Sequence, residues 1–128
     1  MPSRICALRR RTFHRQGRRC YYCGVTMWLL SSDELPGGSP SAAAAARLRC
    51  TAEHLLPKSE GGKNMASNVV AACAHCNHSR HRRRRALPPA EYRRLVERRL
   101  NRAAWHQAWV FERGLLAHSS TRRSHLPP

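Results

Sequence analysis

A small α+β fold is predicted by three features of this sequence. Two Cys-x-x-Cys pairs are present, a strand, long loop, strand, helix order leads through the second pair, and amphipathic helical periodicity lies before the first pair and after the second. The pairs are Cys20/Cys23, in Cys-Tyr-Tyr-Cys-Gly, and Cys73/Cys76, followed at once by Asn77. Four cysteines in this arrangement can close a tetrahedral zinc site, which contributes folding energy outright. At 128 residues the chain reads as one small domain with 41% hydrophobic but only 6% aromatic residues, so a modest core in need of such a staple is expected.

The elements follow in order. Ser3 to Gln16 reads as a helix within a basic N-terminal segment, 1–19: Ser3 can cap it, Ile5, Leu8, Thr12 and Phe13 share a face, and Gly17 can end it. The knuckle core spans 20–87, with Gly24 permitting the tight turn after Cys23. Residues 31–46, where Ser-Ser-Asp-Glu-Leu-Pro-Gly-Gly-Ser-Pro-Ser precedes five alanines, read as an inserted flexible loop whose alanine end can form a short helix. Leu48 to His54 is an expected strand, Leu55 to Ser67 a long loop with Pro57 and Gly61-Gly62, and Asn68 to Ala72 a second strand. A helix is expected from about Ala74 through Arg85, stopped by Pro88-Pro89. A C-terminal unit, 88–117, holds a basic amphipathic helix from about Pro89 to Arg113 with a stripe of Tyr92, Leu95, Val96, Leu100 and Ala103; a disordered tail is expected over 118–128.

Charge narrows the partner. Lys and Arg number 24 against 7 Asp and Glu, a formal charge of +17 that calls for a polyanion, and each cation meeting a phosphate releases condensed counterions. Nucleic acid is favoured over a membrane, because no amphipathic helix has a bulky enough apolar face and no stretch approaches the ~18 apolar residues of a span. Ile5, Cys6 and Leu8 alternate with arginines rather than building the apolar segment of a signal peptide, so a reducing, cytoplasmic setting is expected, in which Cys-x-x-Cys pairs bind metal. Cys6 and Cys50 are left over as buried or free thiols.

The fragments Cys20-Tyr-Tyr-Cys23-Gly24, Ala52-Glu53-His54-Leu-Leu-Pro57, Gly61-Gly62, Ser67-Asn68 and Cys73-Ala-His-Cys76-Asn77-His-Ser-Arg80, in this order, resemble the HNH endonuclease family, the zinc-knuckle type of the ββα-metal (HNH/His-Me finger) superfamily. The resemblance implies a ββα core stapled by structural Zn2+ on Cys20, Cys23, Cys73 and Cys76, with flanking N- and C-terminal helices. It implies that His54 is the general base, its tautomer fixed by a backbone carbonyl of the loop; imidazole suits proton removal near neutral pH. Glu53, where the family usually has Asp, and Asn77 would hold a catalytic divalent ion (Mg2+, Mn2+, Ni2+ or Zn2+). His81, four residues beyond Asn77, is either a third ligand or a phosphate contact, the latter preferred; His78 is expected at the surface. Asn68 is expected to bridge the loop and hold His54 in place.

Arg80 is expected to clamp a phosphate, and Arg82, Arg83, Arg84 and Lys58 to meet the DNA backbone, contacts that position without specifying sequence. Trp105 and Trp109 read as packing residues, with base stacking the other possibility. The expected function is therefore metal-dependent hydrolysis of DNA, most readily double-stranded, by a chain acting alone, as a homodimer or within a larger nucleic-acid-processing complex. The alternative is a non-catalytic zinc-binding nucleic-acid module that retains the scaffold.

Overall fold

The computed structural model describes residues 2–116, so the tail expected over 118–128 lies outside the described residues. Helix α1 (Arg4–Arg15) starts where the Ser3 hydroxyl accepts the Cys6 amide at 3.3 Å, and it buries Leu8, Thr12 and Phe13. Its C-terminal neighbour Gln16 donates to the Ala71 carbonyl at 2.9 Å and accepts the Ala71 amide at 3.0 Å, which pins the helix end to the sheet.

The sheet has two antiparallel strands, β1 (Cys50–His54) and β2 (Val69–Cys73), in a register that pairs Cys50 with Cys73 and His54 with Val69. Side chains alternate across such a ladder. Thr51 and Glu53 face helix α3 (Ala74–Arg80), which they meet through Asn77, Arg80 and His81. Cys50, Ala52 and His54 leave by the other face, toward α1, which packs on both strands. The observed architecture is thus a mixed helix and strand domain with a ββα centre, as expected.

Three stretches differ from expectation. Residues 31–46, expected as a flexible loop, pack onto the core. The Glu34 carboxylate accepts the amides of Leu29, Leu30 and Ser31, all at 2.9 Å, and Leu35 is buried. Ser41 caps helix α2 (Ala42–Ala46), whose Ala45 carbonyl accepts the Trp28 indole N–H at 2.8 Å. The helix expected through Arg85 ends at Arg80, so Arg82 to Arg85 lie in an irregular turn. Four successive guanidiniums repel one another, and the pair Pro88-Pro89 ahead resists helical backbone.

The long C-terminal helix is broken into α4 (Pro89–Leu100) and α5 (Ala108–Glu112). Ala103 and Trp105 take left-handed backbone angles there, and the chain folds back so that Trp109, Val110 and Leu115 are buried. Periodicity alone reads the two short helices as one, because the burial that rewards the break is tertiary.

Between the strands the loop is held by its own amides and by close backbone approach. Gly61 adopts φ +94° after a 3-10 turn (Lys58–Glu60), and a Cβ on Gly62 would collide with the Leu56 carbonyl. Gly62→Ala is therefore expected to lower the melting temperature more than Gly61→Ala. The latter leaves Cβ in open space and pays only the left-handed strain of roughly 1–2 kcal/mol. Equal melting temperatures for the two variants would contradict this packing.

Candidate active site

The Sγ atoms of Cys20, Cys23, Cys73 and Cys76 lie within 4.8 Å of one another, all fully buried, with Cys23 and Cys73 3.9 Å apart. A tetrahedron of Zn–S bonds near 2.3 Å has edges of about 3.8 Å, so the cluster has the dimensions of a zinc site. Its electrostatics point the same way. Burial raises the Cys23 and Cys76 thiols, and hydrogen bonds to Cys20 raise them further. Burial opposes ionisation of Cys20 as well, but donation from Cys23, Cys73 and Cys76 holds it below the ordinary thiol range. Four thiolates this close together need the charge of a metal. Cys50, close by on β1, is a different case: burial pushes its thiol up to about 12, and it remains a neutral buried group. Cys6 is exposed.

Next to the cluster, at the end of β1, Glu53 is the hub of a buried polar network. One carboxylate oxygen accepts the Tyr22 hydroxyl at 2.9 Å and Arg80 Nη1 at 2.9 Å; the other accepts His81 Nε2 at 2.9 Å. Burial and the neighbouring Glu53 charge raise the Tyr22 phenol, which stays a neutral donor. Glu53 and Arg80 are each 1% exposed, whereas a third of the His81 side chain meets solvent. The open side of the network is therefore the His81 side.

The position of Arg80 corrects an expectation. Rather than facing a phosphate, its guanidinium donates to Glu53, to the carbonyls of His54 and Leu55 at 3.0 and 2.9 Å, and twice to the Leu87 carbonyl. The planar fork of donors closes the end of α3 onto β1 and onto the segment leading to α4. Arg82, Arg83, Arg84 and Lys58 are exposed, as is His78.

His54 is half-buried, and its Nε2 lies 2.7 Å from the Asn64 Oδ1. The partner is thus a side-chain amide, in place of the backbone carbonyl expected. Arg4 at the start of α1 donates to the Asn64 carbonyl at 2.7 Å and ties this part of the loop to the N-terminal helix. Asn68 bridges the loop: its Oδ1 accepts the Leu56 amide at 2.8 Å, and its Nδ2 donates to the carbonyls of Leu56 and Lys63. Asn77 docks α3 on β1 by donating to Thr51 Oγ1 at 3.0 Å and the Ala52 carbonyl at 3.3 Å; no described hydrogen bond uses its Oδ1.

The fold thus brings together Glu53 and His81 directly, places His54 beside them in sequence but on the opposite face of the strand, and sets Asn77 one turn before His81. Sequence reasoning missed Tyr22 and Asn64. In Cys-Tyr-Tyr-Cys nothing local tells which tyrosine turns inward, and Asn64 sits in a polar loop where any side chain fits the composition.

The order of these residues along β1, loop, β2 and α3 finds its counterpart in a known family. Residues 44–86 match the HNH endonuclease family. The HNH match takes in the end of α2 from Ala44, the hairpin with its loop, the second knuckle, α3 and the arginine turn; the first knuckle, α1 and everything from Leu87 onward lie outside it. No curated protein and no solved structure matches the chain. No described helix is long and apolar enough to cross a membrane.

Arg80→Met is expected to destabilise the fold by about 3–5 kcal/mol, because it leaves the Glu53 carboxylate buried without its cation. Arg82→Met, at an exposed position, should shift stability by less than about 0.5 kcal/mol. Urea unfolding of the two variants at neutral pH checks the contrast; similar midpoints would mean that the buried Arg80–Glu53 pair does not hold the fold together.

Proposed function

We propose that the chain is a metal-dependent endonuclease that hydrolyses DNA phosphodiester bonds. One observation carries this: within the HNH segment, successive residues of one strand end present an imidazole on one face and a carboxylate paired with a second imidazole on the other. In-line displacement at a phosphate needs a base at the attacking oxygen and charge stabilisation at the leaving oxygen, on opposite sides of phosphorus. A phosphate across the end of β1 would have His54 on one side and the Glu53/His81 pair on the other.

With Asn64 Oδ1 as acceptor, Nε2 of His54 carries the proton and Nδ1 keeps the lone pair that takes a proton from water. Asn64 holds the ring, and Asn68 holds the loop that carries Asn64. The pair Glu53 Oε1 and His81 Nε2 fits adjacent ligand positions of a hard divalent ion, since bonds of ~2.1 Å in octahedral geometry separate neighbouring ligands by about 3 Å. This favours His81 as a ligand over a phosphate contact, with Asn77 Oδ1 the next donor on the same helix. Such an ion supplies Lewis acidity toward the phosphate and the leaving oxygen. The formal charge of +17 and the exposed Arg82, Arg83, Arg84 and Lys58 support a polyanionic substrate followed along its backbone. The four-cysteine cluster fits structural zinc and leaves no open position for chemistry.

A second reading, a nucleic-acid-binding module without turnover, is favoured by one feature: Glu53 is buried and one of its oxygens already accepts from both Tyr22 and Arg80. Nicking of supercoiled plasmid with added Mg2+, Mn2+ or Ni2+ separates the two. His54→Ala is expected to lower metal-dependent nicking by roughly 10²- to 10⁴-fold, the scale of general-base catalysis, at unchanged zinc content. Asn64→Ala is expected to lower kcat with KM kept. Plasmid binding without cutting by the native chain would favour the module; equal cutting by native and His54→Ala protein would remove His54 as the base.

Backbone tracking makes a separate prediction. Replacing Arg82, Arg83 and Arg84 together by Gln should reduce the slope of log affinity against log salt for duplex DNA by roughly 2 to 3, at about 0.9 per phosphate contact. An unchanged slope would place the DNA elsewhere on the chain.

A further inference from the structure

The turn between α4 and α5 holds two non-glycine residues in left-handed conformation, Ala103 at φ 56° and Trp105 at φ 78°. Such backbone persists only where its surroundings over-determine it. Here the surroundings are the zinc knuckles. The Trp105 indole Nε1–H lies 3.2 Å from Cys76 Sγ, and His106 Nε2 lies 3.2 Å from Cys23 Sγ.

The four sulfurs differ in what the backbone offers them. Cys20 Sγ accepts the amides of Tyr22 at 3.4 Å and Cys73 at 3.3 Å, and Cys73 Sγ accepts the Cys76 amide at 3.4 Å. Cys23 Sγ has the Val25 amide at a longer 3.5 Å. Cys76 lies inside α3, and the first amides of that helix are committed elsewhere: Ala74 donates to the Arg49 carbonyl, His75 to the Arg47 carbonyl and Cys76 to Cys73. Its described N–H donor is the Trp105 side chain. A zinc ion with four thiolates is a buried dianion, and each donor that shares its charge strengthens the site.

His106 makes its described hydrogen bond to Cys23 Sγ, while its ring packs against that of His75 at 5.4 Å. It is buried, and its Nδ1 has no hydrogen-bond partner, so the ring is held for what Nε2 does. Tyr92, from α4, donates to the Cys76 carbonyl at 2.6 Å, which joins this helix to the same cysteine. Tyr92, Trp105 and His106 lie beyond the stretch that matches the HNH family.

We infer that residues 101–107 form a clasp on the zinc site, in which the N–H groups of Trp105 and His106 donate to the Cys76 and Cys23 thiolates and retain the metal. The clasp rests on the four-cysteine zinc reading and is independent of nuclease activity. Trp105 and His106 are positioning residues for the metal, not ligands.

The test compares the full native chain with Trp105→Phe, His106→Phe, His106→Gln and Leu115→Ala. Two quantities are read: zinc retained against a competing chelator, and the sulfur-to-metal charge-transfer band after Co2+ replaces zinc. Trp105→Phe and His106→Phe are expected to weaken zinc retention about 10- to 100-fold and to move the band to lower energy, because a thiolate without its donor gives up charge more easily. His106→Gln, which restores an N–H donor, should recover part of both effects. Leu115→Ala loosens the core beyond α5 without touching the two N–H donors and should leave the band in place.

Unchanged retention and band in both Phe variants would overturn the clasp, as would a band shift in Leu115→Ala equal to theirs. A native chain that holds no zinc would overturn the four-cysteine reading and the clasp with it; one zinc per chain with unaffected variants would overturn the clasp alone. Should the Phe variants fail to fold, the native chain loaded with 113Cd decides. Coupling from the metal to the Trp105 indole proton through sulfur supports the clasp, and its absence overturns it.

Discussion

Four buried thiols within 4.8 Å of one another impose the constraint on which the rest of this fold depends. They come from two places far apart in the chain, the turn after α1 and the junction of β2 with α3. Closing them fixes where α3 leaves the sheet, because Cys73 is at once the last residue of β2, the N-cap of α3 and a member of the cluster. The same closure carries Tyr22 to Glu53, across 31 residues of sequence. The hairpin itself contributes small residues to the core, Cys50, Ala71, Ala72 and Cys73, which offer little dispersion energy for such precision. A metal held by the four cysteines only in the folded state would supply it.

The second organising element is the buried pair of Glu53 and Arg80. Breaking such a pair is far more costly than its net stabilisation, since either charge left alone would be buried without a partner. Its effect here is geometric. Arg80 reads the carbonyls of His54, Leu55 and Leu87 as well as the carboxylate, so the end of β1, the start of the long loop and the approach to α4 are held in one plane of donors. A residue that composition assigns to the solvent thereby becomes the keystone of the candidate site, and the arginines that meet solvent are its neighbours in the turn beyond.

These two elements also explain how one short strand presents two candidate groups on opposite faces. Alternation along β1 sends Glu53 toward α3 and His54 toward α1, and different parts of the chain support each. Glu53 is fixed by the first knuckle and by α3, whereas His54 is fixed by the loop and, through Asn64 and Arg4, by the N-terminal helix. The segments outside the HNH match therefore reach both sides of the site, α1 on one and the first knuckle on the other.

Much of this was legible from the residues alone. Cysteine spacing identified the four-cysteine cluster, because two knuckles are a local pattern whose closure needs little else. The Ser3 cap and the strand pair followed from capping chemistry and alternation, which act over a few residues, whereas the bridging role of Asn68 and the meeting of Glu53 with α3 followed from the resemblance to the HNH family. The inward turn of Arg80, the choice of Asn64 as partner of His54, the end of α3 at Arg80 and the break between α4 and α5 were decided only in three dimensions. Each depends on a group that the local pattern does not supply: Glu53 for Arg80, the loop's own folding for Asn64, the cysteine sulfurs for Trp105 and His106. Local sequence sets what a residue can do, and the burial of its partners decides which of those things it does.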